Sequence, residues 1–174
     1  MAFSMSQATL PALQMGLNAL SGVLDKAKAF ASAKKVDDSV LLNTRLAPDM
    51  FAFVRQVQVA SDLAKNGAAR LAGVEPPRFE DNETTIAQLK ERLSKTVAFI
   101  KGLNPKAIDA AGDRQITFPL GPDHKGEMRG DDYLNHFVLP NVYFHLTAAY
   151  AILRHCGVEI GKQDFLGAIP MKMT

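Results

Sequence analysis

His145 and Asn141 are the residues whose types and spacing point most directly to chemistry. They lie four positions apart, and side chains four apart are neighbours on one face of a helix. An imidazole and an amide on the same face can hydrogen-bond one small ligand together, and imidazole is also a common metal ligand. The spacing therefore predicts a ligand-binding site that contains Asn141 and His145.

A metal at this site would need ligands from other elements. Zinc, nickel and iron are bound by several converging His, Asp or Glu side chains. Asp49 and Asp62, both in an earlier helical region, are the candidates that could join His145. The alternative is a buried histidine satisfied by Asn141, Tyr143 or a backbone carbonyl. The sequence leaves both hypotheses open.

Two further groups near the same helix could take part in chemistry. Tyr133 is a candidate ligand-binding residue that could line a pocket mouth with Asp132 and His136, although a surface position fits equally well. Cys156 follows His155, but adjacent residues of a helix point about 100° apart, so the imidazole cannot readily activate the thiol. Because Cys156 also falls on an apolar stripe, we predict a buried, unreactive thiol.

The helix that must position His145 is predicted over Leu139–Gly157. Pro140 suits the first helical turn, where a missing N–H costs nothing, and Gly157 suits the left-handed position that often ends a helix. The apolar residues recur at spacings of three and four: Val142, Leu146, Ala149, Ile152, Leu153 and Cys156. This pattern predicts one buried stripe.

Three earlier stretches have the same periodicity and predict three more long helices. Their predicted bounds are Ser4–Lys35, opened by a capping box at Ser4 and Gln7, Pro48–Gly73, opened by Pro48 and Asp49, and Asp81–Gly102, opened by Asp81 or Asn82. A connector over Val36–Leu46 is expected to contain one short helical turn at Asp38–Asn43.

The stretch before the last helix has a different pattern. Gln115–Leu120 and Glu127–Arg129 are predicted as the strands of a small β-hairpin, which must pack on the helices to be stable. The sequence therefore predicts an all-α fold, a single four-helix-bundle domain over residues 1–174 with a hairpin inserted before the last helix.

Composition excludes several classes of protein. Lys and Arg number 20 against 18 Asp and Glu, and the basic residues are spread along the chain, which argues against a nucleic-acid partner. The single cysteine fits a reducing compartment. The N-terminus lacks the pattern of a signal peptide, and no apolar run approaches the ~20 residues of a spanning helix. We expect a cytoplasmic protein with no membrane partner.

Four stretches carry a resemblance to a known family: Leu42–Phe51, Arg70–Glu83, Pro140–Lys162 and Asp164–Gly167. In them the sequence resembles the DinB-like (YfiT-like) four-helix-bundle superfamily, in particular a bacterial branch that consists of a domain of unknown function. The resemblance implies an up-down-down-up bundle, often a homodimer. It also implies a divalent metal, usually held by one histidine of the second helix and a His-x-x-x-His pair on the fourth.

Few of those ligands are present in this sequence. The second helix, Asp49–Ala72, contains no histidine, and the residue four positions before His145 is Asn141. We therefore predict a DinB-like protein that binds a small molecule or is non-catalytic, with a degenerate metal site. The alternative that the resemblance implies is a metal-dependent transferase, similar to thiol transferases, that uses zinc, nickel or iron near His145.

Overall fold

The protein is mainly helical, with four long helices and one small hairpin. The structure, a computed structural model, describes residues 3–172. The helices are α1 (Met5–Lys34), α2 (Asp38–Leu42), α3 (Phe53–Ala72), α4 (Ile86–Lys101), α5 (Pro105–Asp109), α6 (Gly130–Asp132), a π-helix (Tyr133–Val138), α7 (Leu139–His155) and α8 (Lys162–Leu166). The antiparallel strands are β1 (Gln115–Leu120) and β2 (His124–Arg129). Within residues 3–172, none of these helices is both long and apolar enough to cross a membrane.

Some predicted helix ends are confirmed and others are wrong. The capping box at Ser4 and Gln7 is confirmed. The predicted start of the second helix at Pro48 and Asp49 is wrong, because α3 begins at Phe53. The backbone N–H of Phe53 donates to the carbonyl of Thr44 at 2.8 Å, so the preceding residues form a folded turn instead of a helical one. Asp49 lies exposed in that turn.

The third long helix also begins later than predicted. α4 starts at Ile86, where Thr85 and Gln88 form a capping box. The predicted cap Asp81 pairs instead with Arg55 and Arg92 of the neighbouring helices. The carboxylate of Asp81 therefore forms tertiary ion pairs instead of capping a helix, as the local sequence had predicted.

Contacts between the long helices define their relative directions. The contacting pairs are Gln56–His145 and Arg70–Tyr133 for α3 with the α7 region, Gln58–Glu83 and Ser61–Thr96 for α3 with the α4 region, and Asp25–Lys90 and Ser6–Asp109 for α1 with the α4 region. Residue numbers run in opposite senses in the first and third sets, and in the same sense in the second. α3 is therefore antiparallel to α7 and parallel to α4, and α1 is antiparallel to α4. The up-down-down-up bundle is confirmed.

Because α3 and α4 are parallel, the chain between them must return along the bundle. α3 has 20 residues, a length of about 30 Å at the rise of an α-helix. Residues 73–85 contain no helix or strand, and an extended chain of this length spans about 40 Å. Pro76 and Pro77 favour such an extended backbone. This returning segment covers the groove between α3 and α4.

A buried charged cluster holds the returning segment in place. Arg92 of α4 is only 3% exposed. Its Nη1 donates to Glu83 Oε1 at 2.8 Å and to the carbonyl of Glu80 at 3.1 Å. Its Nη2 lies 2.9 Å from carboxylate oxygens of both Asp62 and Asp81. Burial opposes the charge of Arg92, but these carboxylates outweigh it and raise the pKa of the guanidinium.

The ring of Phe79 packs against both cations of this cluster, Lys65 and Arg92. Its ring centroid is 4.0 Å from Nζ of Lys65 and 5.4 Å from Cζ of Arg92. Lys65 is 2% exposed and pairs with Asp62 at 3.0 Å. The cluster therefore joins α3, α4 and the returning segment through ion pairs and cation–π contacts.

The π-helix before α7 follows from the position of Pro140. Proline has no N–H to donate, and its ring clashes with the carbonyl four residues earlier in an α-helix. A wider π turn over Tyr133–Val138 accommodates that ring, and the chain stays helical into α7. Pro140 in the first turn of α7 and Gly157 at a positive φ of 89° are both confirmed.

Candidate functional site

His145 lies on the face of α7 that packs against α3. It is 8% exposed, and its Nδ1 lies 2.7 Å from Oε1 of Gln56 on α3. The amide nitrogen of Gln56, Nε2, donates to the carbonyl of Phe51 at 3.2 Å. Because this bond assigns the amide nitrogen to Nε2, the oxygen Oε1 faces the imidazole and accepts a hydrogen bond from Nδ1–H. The network thus assigns His145 the tautomer with Nδ1 protonated and a lone pair on Nε2.

The Nε2 atom of His145 is the ring nitrogen that is not engaged by Gln56. It has no hydrogen-bond partner within residues 3–172, and it is not completely shielded from solvent, while the residue as a whole is 8% exposed. Burial lowers the pKa of His145, and the charge of Arg55 lowers it further. The imidazole is therefore neutral at pH 7 and presents a hydrogen-bond acceptor.

Two exposed aromatic side chains border this ring, and we call Phe51 and Phe144 the aromatic rim. Phe51 is stacked with His145 at 6.5 Å between centroids and is 52% exposed. Phe144 meets the same ring edge-on at 5.1 Å and is 58% exposed. Together with His145, the aromatic rim forms the candidate ligand site.

The structure places Asn141 one turn before His145 on α7, as the spacing predicted. Its side chain is half-buried, and its Nδ2 donates to the carbonyl of Phe137 at 2.7 Å. This bond satisfies a carbonyl in the irregular turn before α7. The carbonyl oxygen of the Asn141 amide remains as the group that a ligand could contact.

Tyr133 lies in a different environment from the predicted pocket mouth. It is 1% exposed, and its ring packs against Phe118 at 4.8 Å and Phe137 at 5.5 Å, beneath the hairpin. Its hydroxyl accepts a hydrogen bond from Nη1 of Arg70 at 3.1 Å. Burial raises the pKa of Tyr133, and the nearby Arg70 opposes this rise. The contacts of Tyr133 are those of a core residue that supports the hairpin.

The predicted metal ligands are not gathered around His145. Asp49 is exposed in the turn before α3 and makes no hydrogen bond or ion pair within residues 3–172. Asp62 is paired with Arg92 and Lys65. In the same part of the chain, no group of three His, Cys, Asp or Glu side chains is arranged to hold a metal ion. The residues present do not fit the three-histidine site that the resemblance implies.

Sequence reasoning missed Gln56, the residue that faces His145 from α3. A signal for it was present, since Gln56 is a polar residue next to Val57 on the otherwise apolar face of the helix. It is 1% exposed, and a buried polar group needs a partner. The aromatic rim residue Phe51 was also missed, because it lies in a turn that was predicted as helix.

Comparison with known proteins agrees with this architecture. The family model described as "Domain of unknown function (DUF1993)" matches residues 5–166. A crystal structure of a DinB family member protein from Shewanella denitrificans is similar at a TM-score of 0.89 and 42% sequence identity, over 97% of this chain and 95% of that chain. No curated protein matches the sequence. The chain therefore belongs to the DUF1993 family of DinB-like helical-bundle proteins.

Proposed function

We propose that this protein binds a small organic molecule at His145, in place of the metal that the superfamily usually holds. The observation that supports the proposal is the fixed tautomer of His145. Gln56 occupies Nδ1 at 2.7 Å, and Nε2 is not completely shielded from solvent beside the aromatic rim. A lone pair held in this way accepts a hydrogen bond from a ligand hydroxyl or amide N–H.

The surroundings of His145 favour a ligand with a flat, apolar body. Phe51 offers a ring face and Phe144 a ring edge, and aromatic side chains prefer offset-stacked and edge-on partners. The lowered pKa of His145 keeps the imidazole uncharged at pH 7. An uncharged acceptor between apolar walls selects for one donor group on a planar molecule.

The metal-dependent transferase is the second candidate. It would require a divalent metal at Nε2 of His145. The side chains nearest to that ring are two phenylalanines and the amide of Gln56, whose oxygen is already engaged by Nδ1. Stable binding of zinc or a similar metal needs more converging ligands than one imidazole. For this reason we favour a non-catalytic protein with a degenerate metal site.

The proposal can be tested by NMR with the histidine side chains labelled. We expect the ¹⁵N shifts of His145 to report a protonated Nδ1 and an unprotonated Nε2. In a screen of neutral planar fragments with one hydroxyl or amide, the fragments that bind should change the ¹⁵N chemical shift of Nε2 of His145. These fragments should not bind to the His145→Gln variant. They should still bind to His155→Gln, which makes the matched change at an exposed histidine of α7.

Two outcomes would contradict the proposal. One is a fragment screen in which no compound shifts His145, or in which the binders bind equally well to His145→Gln. The other is a titration with Co²⁺ that gives one stoichiometric site, detected by its visible absorption, that is lost in His145→Gln. The second outcome would support the transferase.

We further propose that the protein is a cytoplasmic homodimer, as the family resemblance implies. Sedimentation equilibrium of the purified chain should give twice the mass of 18.9 kDa. A single species at the monomer mass would contradict the dimer.

A further inference from the structure

Only one of the three guanidinium nitrogens of Arg55 makes a hydrogen bond within residues 3–172. Its Nη1 serves both of its partners, Gln58 Oε1 at 3.3 Å and a carboxylate oxygen of Asp81. Nε and Nη2 have no hydrogen-bond partner among the residues that the structure describes. The Nε–H and Nη2–H groups lie side by side on one edge of the guanidinium, and this edge binds a carboxylate through two parallel hydrogen bonds.

The negative charge of Asp81 is shared between two cations, Arg55 and Arg92. One of its carboxylate oxygens pairs with Arg55 and the other lies 2.9 Å from Nη2 of Arg92. The Arg55 side chain is 42% exposed, so its free edge can be approached from solvent. A second anion can therefore bind Arg55 without displacing Asp81.

Arg55 and His145 both lie beside the ring of Phe51. The Cζ atom of Arg55 is 5.9 Å from the ring centroid of Phe51, and the His145 ring centroid is 6.5 Å from it. Burial lowers the pKa of His145, and the charge of Arg55 lowers it further. Since both side chains border the same ring, a planar ligand that lies along Phe51 has a hydrogen-bond acceptor and a cation at its edges.

We infer that Arg55 binds a carboxylate of the ligand, so that the ligand class is a planar carboxylic acid with a hydroxyl or N–H at its other end. The hydroxyl or N–H donates to Nε2 of His145, the planar body lies along Phe51, and the carboxylate binds the free edge of Arg55. This inference rests on the proposed function, because it requires the same open Nε2. It adds the charge and the length of the ligand.

The test uses two probes of nearly equal shape, 4-hydroxybenzoate and 4-hydroxybenzamide, which differ in the negative charge. Their dissociation constants are measured by NMR titration that follows the His145 ring signals. We expect the wild-type protein to bind the carboxylate at least about tenfold more tightly than the amide, as for a hydrogen bond to a charged group. Arg55→Gln should remove this preference. His145→Gln should raise the dissociation constants of both probes by a similar factor.

Two more variants keep the test decisive. Arg154→Gln makes the same change in charge at an exposed position of α7 and should keep the preference for the carboxylate. Arg55→Lys keeps the charge near Asp81 but loses the paired N–H edge, and should show an intermediate preference. Circular dichroism of each variant checks that the bundle is folded.

The results separate the two proposals. Equal binding of both probes to the wild-type protein, or a preference that survives in Arg55→Gln, would overturn the role of Arg55 and leave binding at His145 supported. If neither probe shifts His145 at millimolar concentration, the planar carboxylate is wrong as a ligand class, and the neutral-fragment screen decides the proposed function by itself.

Discussion

Replacement of Arg92 by methionine should destabilise the protein far more than loss of an exposed cation on the same helix. Methionine keeps much of the length of the side chain but removes the guanidinium. Four polar contacts are lost, two from Nη1 and two from Nη2. The returning segment loses its contacts with Arg92 of α4, while Glu83 keeps one hydrogen bond from Gln58 at 2.8 Å.

The magnitude follows from the burial of the partners. The Glu83 side chain is 9% exposed, so its charge is left in a poorly hydrated site. The side chains of Asp62 and Asp81 are 29% and 36% exposed and can recover water. We therefore expect a loss of about 3 kcal/mol in the free energy of unfolding, the lower end of the range for breaking a buried ion pair.

The matched control is Lys95→Met, one turn later on α4. Lys95 pairs with Glu91 at 2.7 Å, but the two side chains are 60% and 64% exposed. An exposed pair of this kind contributes less than about 1 kcal/mol. Urea denaturation followed by circular dichroism gives both values.

A second variant pair tests whether Glu83 is the source of the cost. Glu83→Gln removes the charge that Arg92 neutralises, so the double variant Arg92→Met/Glu83→Gln should be less destabilised than the sum of the single variants, by about 1 kcal/mol or more. Amide hydrogen exchange should rise in residues 79–85 of the Arg92 variant. The reasoning is refuted if Arg92→Met costs no more than Lys95→Met, or if the two single effects simply add.

Three further changes have expected outcomes that stability measurements can check. Because the folded pKa of His145 lies below its ordinary value of 6.5, His145 contributes stability that is complete above about pH 6.5 and is lost as the pH falls towards the folded pKa. Unfolding free energies of wild type and His145→Gln from pH 8 to 5 should diverge at high pH and converge at low pH, and parallel curves would contradict this. Gly67→Ala should cost about 1–3 kcal/mol, because a Cβ at Gly67 would lie 2.7 Å from Cγ1 of Val138; a neutral effect in urea denaturation would show that α3 and the π-helix can separate. Gly22→Ala in α1 meets nothing within 4 Å, so it should raise the melting temperature through about 0.5–1 kcal/mol of helix propensity, and a lower melting temperature would argue against an open helix face there.

Local rules were enough to predict those elements whose ends depend on near neighbours in sequence. The capping box at Ser4, the end of the second long helix at Gly73 and the strand Gln115–Leu120 appear where they were predicted. The short helical turn predicted at Asp38–Asn43 is found as α2, Asp38–Leu42. In each case the deciding hydrogen bonds or dihedral angles lie within a few residues, so the sequence contains the information directly.

The starts of α3 and α4 could not be predicted in this way, because distant groups decide them. The N–H of Phe53 bonds to Thr44 in the turn that precedes it, and Asp81 pairs with two arginines instead of capping a helix. Local propensity favoured Asp49 and Asp81 as first-turn residues, but the tertiary contacts are stronger. The apolar periodicity also did not predict that residues 73–85 run back along the bundle, because periodicity does not report whether two successive helices are parallel.

For the site, the sequence by itself determined that one histidine of the last long helix would face inward, because His145 lies beside an apolar stripe. Only the tertiary structure decided what that ring meets. Gln56 fixes its tautomer from α3, Phe51 borders it from a turn, and burial, together with the charge of Arg55, lowers its pKa. Tyr133, close to Asn141 in sequence, packs instead beneath the hairpin. Helical periodicity states which face is buried, whereas the partner of a buried polar atom is set by the packing of helices that are far apart in the chain.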